Sequence, residues 1–261
     1  MNLKGSQTGE VPSLDRAVSL RHHVMATAMH SFGAWGYQEI QVPMLHFFDA
    51  LKPGLDSDQI ERAFRFVDRA GNIMVLRPDV TPVVAQTLVG QNQLRPAQLP
   101  LRVSYTHKVF HIERSFVSRE LESYQVGVER LGGAELVADL EILIIVLEVL
   151  GLLGLSEARL SIADHAVAHH LLRATGAPRR VVERVRQAII ARDVDEVRAA
   201  LRRVGSRAEY VEALSLMASL DSGLDELMAI DKIFPHDRVL RGRLTHLSAI
   251  TSTLDELGRF E

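Results

Sequence analysis

Apolar positions along this chain change their period several times, and each change predicts an element. From Ser13, a residue suited to capping a helix, Leu14, Ala17, Val18, Val24, Met25, Ala28, Met29 and Phe32 recur close to helical spacing. That helix is expected to end near Gly33 to Gly36. Over Tyr37 to Val42 the period drops to two, with Ile40 and Val42 alternating against Glu39 and Gln41, and Pro43 then removes a ladder donor. The segment reads as a half-buried strand. Phe64 to Val67 and Ile73 to Leu76 form a second pair of strands joined by Asp68-Arg69-Ala70-Gly71-Asn72, a composition that favours a longer hairpin loop.

Directly after that pair comes Leu76-Arg77-Pro78-Asp79-Val80-Thr81-Pro82, where Thr81 suits an N-cap and Pro82 a first helical position, opening a helix through about Gly90. This bend sets a carboxylate and a hydroxyl side by side, a setting in which an ammonium group can be held. Leu101 to Phe110 and Ser123 to Leu131 read as strands, with the charged stretch Glu113 to Glu122 between them as a loop able to fold over a ligand. Gly132-Gly133 breaks the chain, and Ala134 to Leu155 follows as the most apolar helix. Ser161 to Asp164 is a short strand candidate. The remainder reads as helices broken near Gly176-Ala177-Pro178, Gly205 and Pro235. Strands early and helices late predict an α+β fold, helices packed on an antiparallel sheet. Residues 1–12 are expected to be a flexible tail, and 13–261 one domain, strand-rich over 13–133 and mostly helical over 134–261.

With 261 residues, 47% of them hydrophobic, the chain can bury a substantial core. Thirty basic and 33 acidic residues in mixed order leave a charge of −3, so no long-range field draws it to nucleic acid or to a membrane surface. Leu140 to Leu155 is interrupted by Glu141 and Glu148 and is too short and too charged to span a bilayer. Cysteine is absent, which removes disulfides, thiolate zinc sites and a cysteine nucleophile, and is compatible with the reducing cytoplasm expected for this chain.

Alternation along the strand puts Ser123, Gln125, Gly127 and Glu129 on one face and Tyr124, Val126 and Val128 on the other. The second face is expected in the core. The first carries an amide and a carboxylate on either side of a glycine, an open floor between polar walls that suits a small zwitterion or an imidazole. The same face also reads as the solvated side of an antiparallel sheet. Turn formation and capping likewise explain Asp79, Thr81 and Pro82 without any ligand. His165 and His169 stand at i, i+4 with His170 and Asp164 near, a spacing that can bind zinc, but a third ligand is not evident and no metal is expected. The basic residues Arg173, Arg179, Arg180, Arg184 and Arg186 are interleaved with acids and read as a solvated helix face.

Three motifs in order, Gly36-Tyr37-Gln38-Glu39-Ile40-Gln41-Val42-Pro43, Leu76-Arg77-Pro78-Asp79-Val80-Thr81-Pro82 and Gln125-Val126-Gly127-Val128-Glu129, resemble the catalytic core of histidyl-tRNA synthetase. The resemblance is closer to its non-catalytic paralogue, the regulatory subunit of ATP phosphoribosyltransferase. It covers about residues 13 to 150 well and the later helices more loosely. It implies a class II aminoacyl-tRNA synthetase fold in which Asp79, Thr81, Gln125 and Glu129 match residues that surround bound histidine. The synthetase has a phosphate- and carboxylate-binding Arg where this chain has His111, in Phe110-His111-Ile112-Glu113, and a neutral imidazole cannot supply that charged fork. Arg114 is three residues further along, an odd shift that points it to the opposite face of a strand. Nothing after Pro235 matches the later histidine and ATP motifs, so the usual C-terminal part of the fold is lacking. The resemblance therefore implies a regulatory role without catalysis or cofactor, in partnership with the short catalytic subunit and with histidine as effector. It also implies a homodimer, formed through the first helix and the next strand, within a hetero-oligomer. A divergent enzyme that activates an amino acid with ATP, or a stand-alone amino-acid-binding module, are the alternative expectations.

Overall fold

A computed structural model describes residues 16–90, 99–112, 121–155, 157, 158, 160–219 and 224–258. The expected tail, the Ser13 cap, most of the 113–122 loop with Arg114, and the last three residues lie outside the described residues. Two compact units are formed, residues 1–158 and 159–261.

In the first unit, helix α1 (Arg16–Ala34) ends at Gly36, whose φ of +82° is the left-handed turn that releases the chain into β1 (Gln38–Glu39). The strand expected over Tyr37 to Val42 is shorter than its alternation suggested. It pairs with β5 (Leu101–Phe110) only at Val103 and Ser104, in parallel, and one further bond runs from Ile40 N–H to the Ser104 carbonyl. Beyond Ile40, side chains replace the ladder: Val42 N–H donates to His107 Nε2, and the Val42 and Pro43 carbonyls accept from Arg77. Proline cannot donate to a ladder, and buried carbonyls must be paired, so a guanidinium with several donors is a physical solution.

The second sheet is antiparallel throughout, with β4 (Ile73–Leu76) between β2 (Leu45–Phe47) and β3 (Arg65–Val67). Its hairpin loop is organised by Asp68, which accepts from the N–H groups of Ala70 and Asn72 and from the Asn72 amide. Two short helices, α2 (Phe48–Leu51) and α3 (Ser57–Arg62), precede β3, and α4 (Thr81–Gly90) follows β4. The longest pairing joins β5 to β6 (Glu122–Leu131), ten residues each, in a register that sets Tyr105 opposite Gly127 and His107 opposite Gln125. The synthetase-like sheet is thus mixed, antiparallel except where β1 joins β5.

Alternate faces of that hairpin serve two cores. Val103, Tyr105 and Val109 pack with Val75, Val80, Val83 and Leu88 from β4 and α4. Val126 and Val128 pack on the other face with Phe32 of α1 and Ile145 of α5 (Glu135–Leu152). Tyr124 departs from this pattern: the expected core residue is exposed, with Arg21 and Lys108 set over its ring at 4.6 and 5.1 Å.

The two glutamates that interrupt apolar α5 hold it to α1 and the sheet. Glu148 accepts from the Ser31 hydroxyl and the Trp35 indole. Glu141 accepts from Tyr37 and takes both oxygens to Arg102, with Arg130 at 3.4 Å. Its hydrogen bonds to Arg102 hold the Glu141 carboxyl below the usual range, while burial and the bond to Glu141 push the Tyr37 phenol up.

The second unit is helical: α6 (His165–Ala174), α7 (Arg179–Ile190), α8 (Val194–Arg203), α9 (Ala208–Ser219), α10 (Leu224–Ile233) and α11 (Arg238–Glu256). Leu171, Val185, Val197, Leu201, Leu214 and Leu240 form its buried centre. The strand expected at Ser161 to Asp164 does not form, because the Asp164 carboxylate accepts from Ala166 N–H and caps α6. Asp237 caps α11 in the same way and also bonds His170. Breaks at Gly176, Gly205 and Pro235 fall where the sequence puts them.

Candidate functional site

Arg77 is where the site begins. As β4 ends, its guanidinium turns into the protein and donates to the carbonyls of Lys108, Val42 and Pro43 at 2.6, 2.9 and 3.1 Å. Burial pulls its pKa down, yet a guanidinium stays charged, so this cation acts as a fixed backbone clamp. The clamp sets the direction of the next four residues. Pro78 and Val80 are buried, which turns Asp79 and Thr81 outward.

Each outward group has a polar partner already. Asp79 Oδ2 accepts from the Gln59 amide at 3.0 Å, and Gln59 is itself held by accepting from Asp56 N–H in the capping box of α3. The Thr81 hydroxyl donates to Glu129 Oε1 at 2.7 Å across to β6. Gln125 Oε1 accepts from Val80 N–H at 3.1 Å. The expected capping role of Thr81 is therefore corrected: α4 begins at Thr81 itself, the Val80 carbonyl accepts the first helical bond from Val84, and the hydroxyl is spent on Glu129. Of four residues chosen on sequence, Thr81 and Glu129 are thus bonded to each other and Gln125 to the backbone beside them, while Asp79 is held by Gln59.

Between the walls the floor is not open, as the glycine had suggested. A Cβ built on Gly127 would lie 2.7 Å from the Tyr105 hydroxyl and 2.9 Å from the carbon that bears it, so the phenol occupies the space that the glycine leaves. That hydroxyl reaches Glu129 Oε1 at 3.3 Å. Burial pushes the Tyr105 phenol up to about 12, and the charges of Glu129 and Asp79 act in the same direction. Beside it His107 is buried, its ring nearly parallel to Tyr105 with centroids 6.2 Å apart. Burial, with the Arg77 charge added, lowers the His107 pKa, and its Nε2 lone pair takes Val42 N–H, so the ring is neutral.

His111 is the fifth residue chosen on sequence. It follows β5, forms an isolated antiparallel bridge with Ala63, and donates its N–H to Leu121. Four residues separate it from His107, the partner of Gln125, a span of about 13 Å in extended chain.

Tyr105, Gln59, His107 and the clamp role of Arg77 were missed on sequence. The available signal was parity: Tyr105 and His107 share a strand face, but only the register reveals that they lie opposite Gly127 and Gln125. In the second unit, His165 and His169 have ring centroids 6.3 Å apart and His170 is bonded to Asp237. Among the described residues no group of three His, Cys, Asp or Glu is arranged to hold a metal. Of the basic residues, Arg184 pairs with Glu196 and Arg186 with Glu183.

Electrostatically the site is one-sided. Among the described residues, no basic side chain touches Asp79 or Glu129; their partners are an amide and two hydroxyls. Neutral donors orient a carboxylate without cancelling its charge, so the pair favours a cationic group.

A mixed sheet flanked by helices, with polar groups of a strand-to-helix bend facing those of an antiparallel hairpin, is a class II aminoacyl-tRNA synthetase-like domain, here its N-terminal part. A structure from Bacillus halodurans, described as an ATP phosphoribosyltransferase regulatory subunit/histidyl-tRNA synthetase, superposes with a TM-score of 0.84 at 20% identity, covering 98% of this chain and 66% of that one. Histidyl-tRNA synthetase from Nostoc sp. PCC 7120 gives 0.71 at 14% identity, over 99% of this chain and 59% of that one. Residues 13–260 match the histidyl-tRNA synthetase family model, and the chain belongs to that family. Curated relatives named ATP phosphoribosyltransferase regulatory subunit include one from Moorella thermoacetica, 29% identical over 76% of this chain and 51% of the relative. Another from Desulforamulus reducens is 33% identical over 62% of this chain and 40% of the relative. The chain spans about half the length of these curated relatives.

Proposed function

We propose that this chain is a non-catalytic regulatory subunit of ATP phosphoribosyltransferase, and that Asp79, Thr81, Gln125 and Glu129 hold histidine as the feedback effector. The observation that carries the site is the pair of carboxylates oriented by neutral donors, which leaves their negative charge for a ligand ammonium or imidazolium. The names of the curated relatives support the subunit assignment. Its partner is the short catalytic subunit, in a cytoplasmic hetero-oligomer built on dimers of this chain. The chain acts by binding two states of that partner unequally, and histidine shifts the balance. By the resemblance of Phe110-His111-Ile112-Glu113 to the synthetase pattern, His111 replaces a phosphate-binding Arg, which supports a role without ATP activation.

Mixing the chain with the short catalytic subunit and measuring phosphoribosyl transfer, with and without histidine, tests the proposal. Activation that histidine reverses is expected. No activation overturns the subunit assignment, and activation indifferent to histidine overturns the effector role. Pyrophosphate exchange with ATP and histidine tests the enzymatic alternative, and turnover there would make the chain a synthetase-like enzyme.

A further inference from the structure

Tyr105 stands at the centre of the site, yet sequence motifs do not single it out. Its ring crosses from β5 to β6 over Gly127, where any side chain would collide with it. It is 6% exposed, so the ring has little room to move. Its hydroxyl and that of Thr81 both reach the same oxygen, Glu129 Oε1, at 3.3 and 2.7 Å. Glu129 Oε2 makes no hydrogen bond among the described residues. One oxygen of the carboxylate is thereby fixed by two neutral donors, and the other is presented to a ligand.

We propose that Tyr105 is a positioning residue of the ligand site: its phenol, admitted by Gly127, aims Glu129 Oε2 at a cationic group of the bound amino acid. This deepens the histidine-site reading and rests on it. The step from geometry to function is short. A carboxylate free to rotate loses orientation entropy when it engages a ligand, whereas a doubly anchored one is already in place. Gly127 is the necessary counterpart, because the phenol takes the volume a Cβ would need.

Calorimetry with L-histidine on the full chain, for wild type, Tyr105→Phe, Glu129→Gln and the double variant, tests this, with thermal unfolding measured alongside. Tyr105→Phe is expected to weaken binding by about fivefold to tenfold, in the range of one lost hydrogen bond to a charged group. In the Glu129→Gln background the same change should cost nothing further, because the group being positioned has changed. An equal loss in both backgrounds would show a structural role and overturn the proposal, as would unchanged affinity in Tyr105→Phe. Gly127→Ala gives an independent measurement: it displaces the phenol, so it should weaken histidine binding at least as much as Tyr105→Phe, and wild-type affinity in that variant also overturns the proposal. Absence of binding by the wild-type chain instead removes the histidine reading itself, a result distinct from binding that ignores Tyr105.

Discussion

At Glu129 a carboxylate is held by two hydroxyls and, among the described residues, by no cation, and the consequence can be measured at that residue alone. Glu129→Gln keeps the shape and removes the charge, so histidine affinity should fall by about 10- to 100-fold, the loss expected when a charge-assisted hydrogen bond becomes neutral, with little change in melting temperature. Calorimetry reads the first quantity and thermal unfolding the second. His107 makes a different statement, about pH. Its pKa is lowered in the folded chain, so below the ordinary histidine value the unfolded chain binds more protons than the folded one. Stability from this residue is fully present above about pH 6.5 and is lost as pH falls from there through the lower native value. His107→Gln, which retains an acceptor for Val42 N–H, should flatten the denaturant-measured stability between about pH 7 and pH 5. A profile as steep as wild type would rule out His107 as its source.

Elements are joined here by polar groups as much as by apolar faces. On α5, Glu141 ties together Tyr37, Arg102 and Arg130. Removing one partner from such a buried cluster leaves its charges uncompensated, so Glu141→Ala should cost about 3 kcal/mol in urea unfolding. Apolar period located α5 correctly but treated its two glutamates only as interruptions. Period also found α1, β5 and β6, because each puts one face into a core and the pattern records it, whereas the exposed β3 was found with β4 from its apolar run and hairpin loop. It failed over Tyr37 to Val42, where the alternation is genuine but the backbone partners are His107 and Arg77 side chains from distant segments. It failed again at Ser161 to Asp164, where a capping aspartate is a local feature that a strand template does not register.

For the whole molecule, the second unit closes a core of its own around Leu171, Val185, Leu201 and Leu214. A fragment of residues 159–261 is therefore expected to fold alone, with helical circular dichroism and one cooperative melting transition; a fragment without such a transition would show that this core depends on the first unit. Three motifs far apart in the chain, at residues 36–43, 76–82 and 125–129, implied the fold family and proposed four residues for one site. Periodicity determined most elements, since burial of one face leaves its mark at every second or every third to fourth position. Only the tertiary structure decided what those residues touch. The pairing of Tyr105 with Gly127 filled a floor that sequence left open, the route of the Arg77 side chain made it a clamp, and the bond from Thr81 to Glu129 took the hydroxyl away from capping. The physical reason is that faces follow from local backbone geometry, whereas register and hydrogen-bond partners depend on groups brought together from distant parts of the chain.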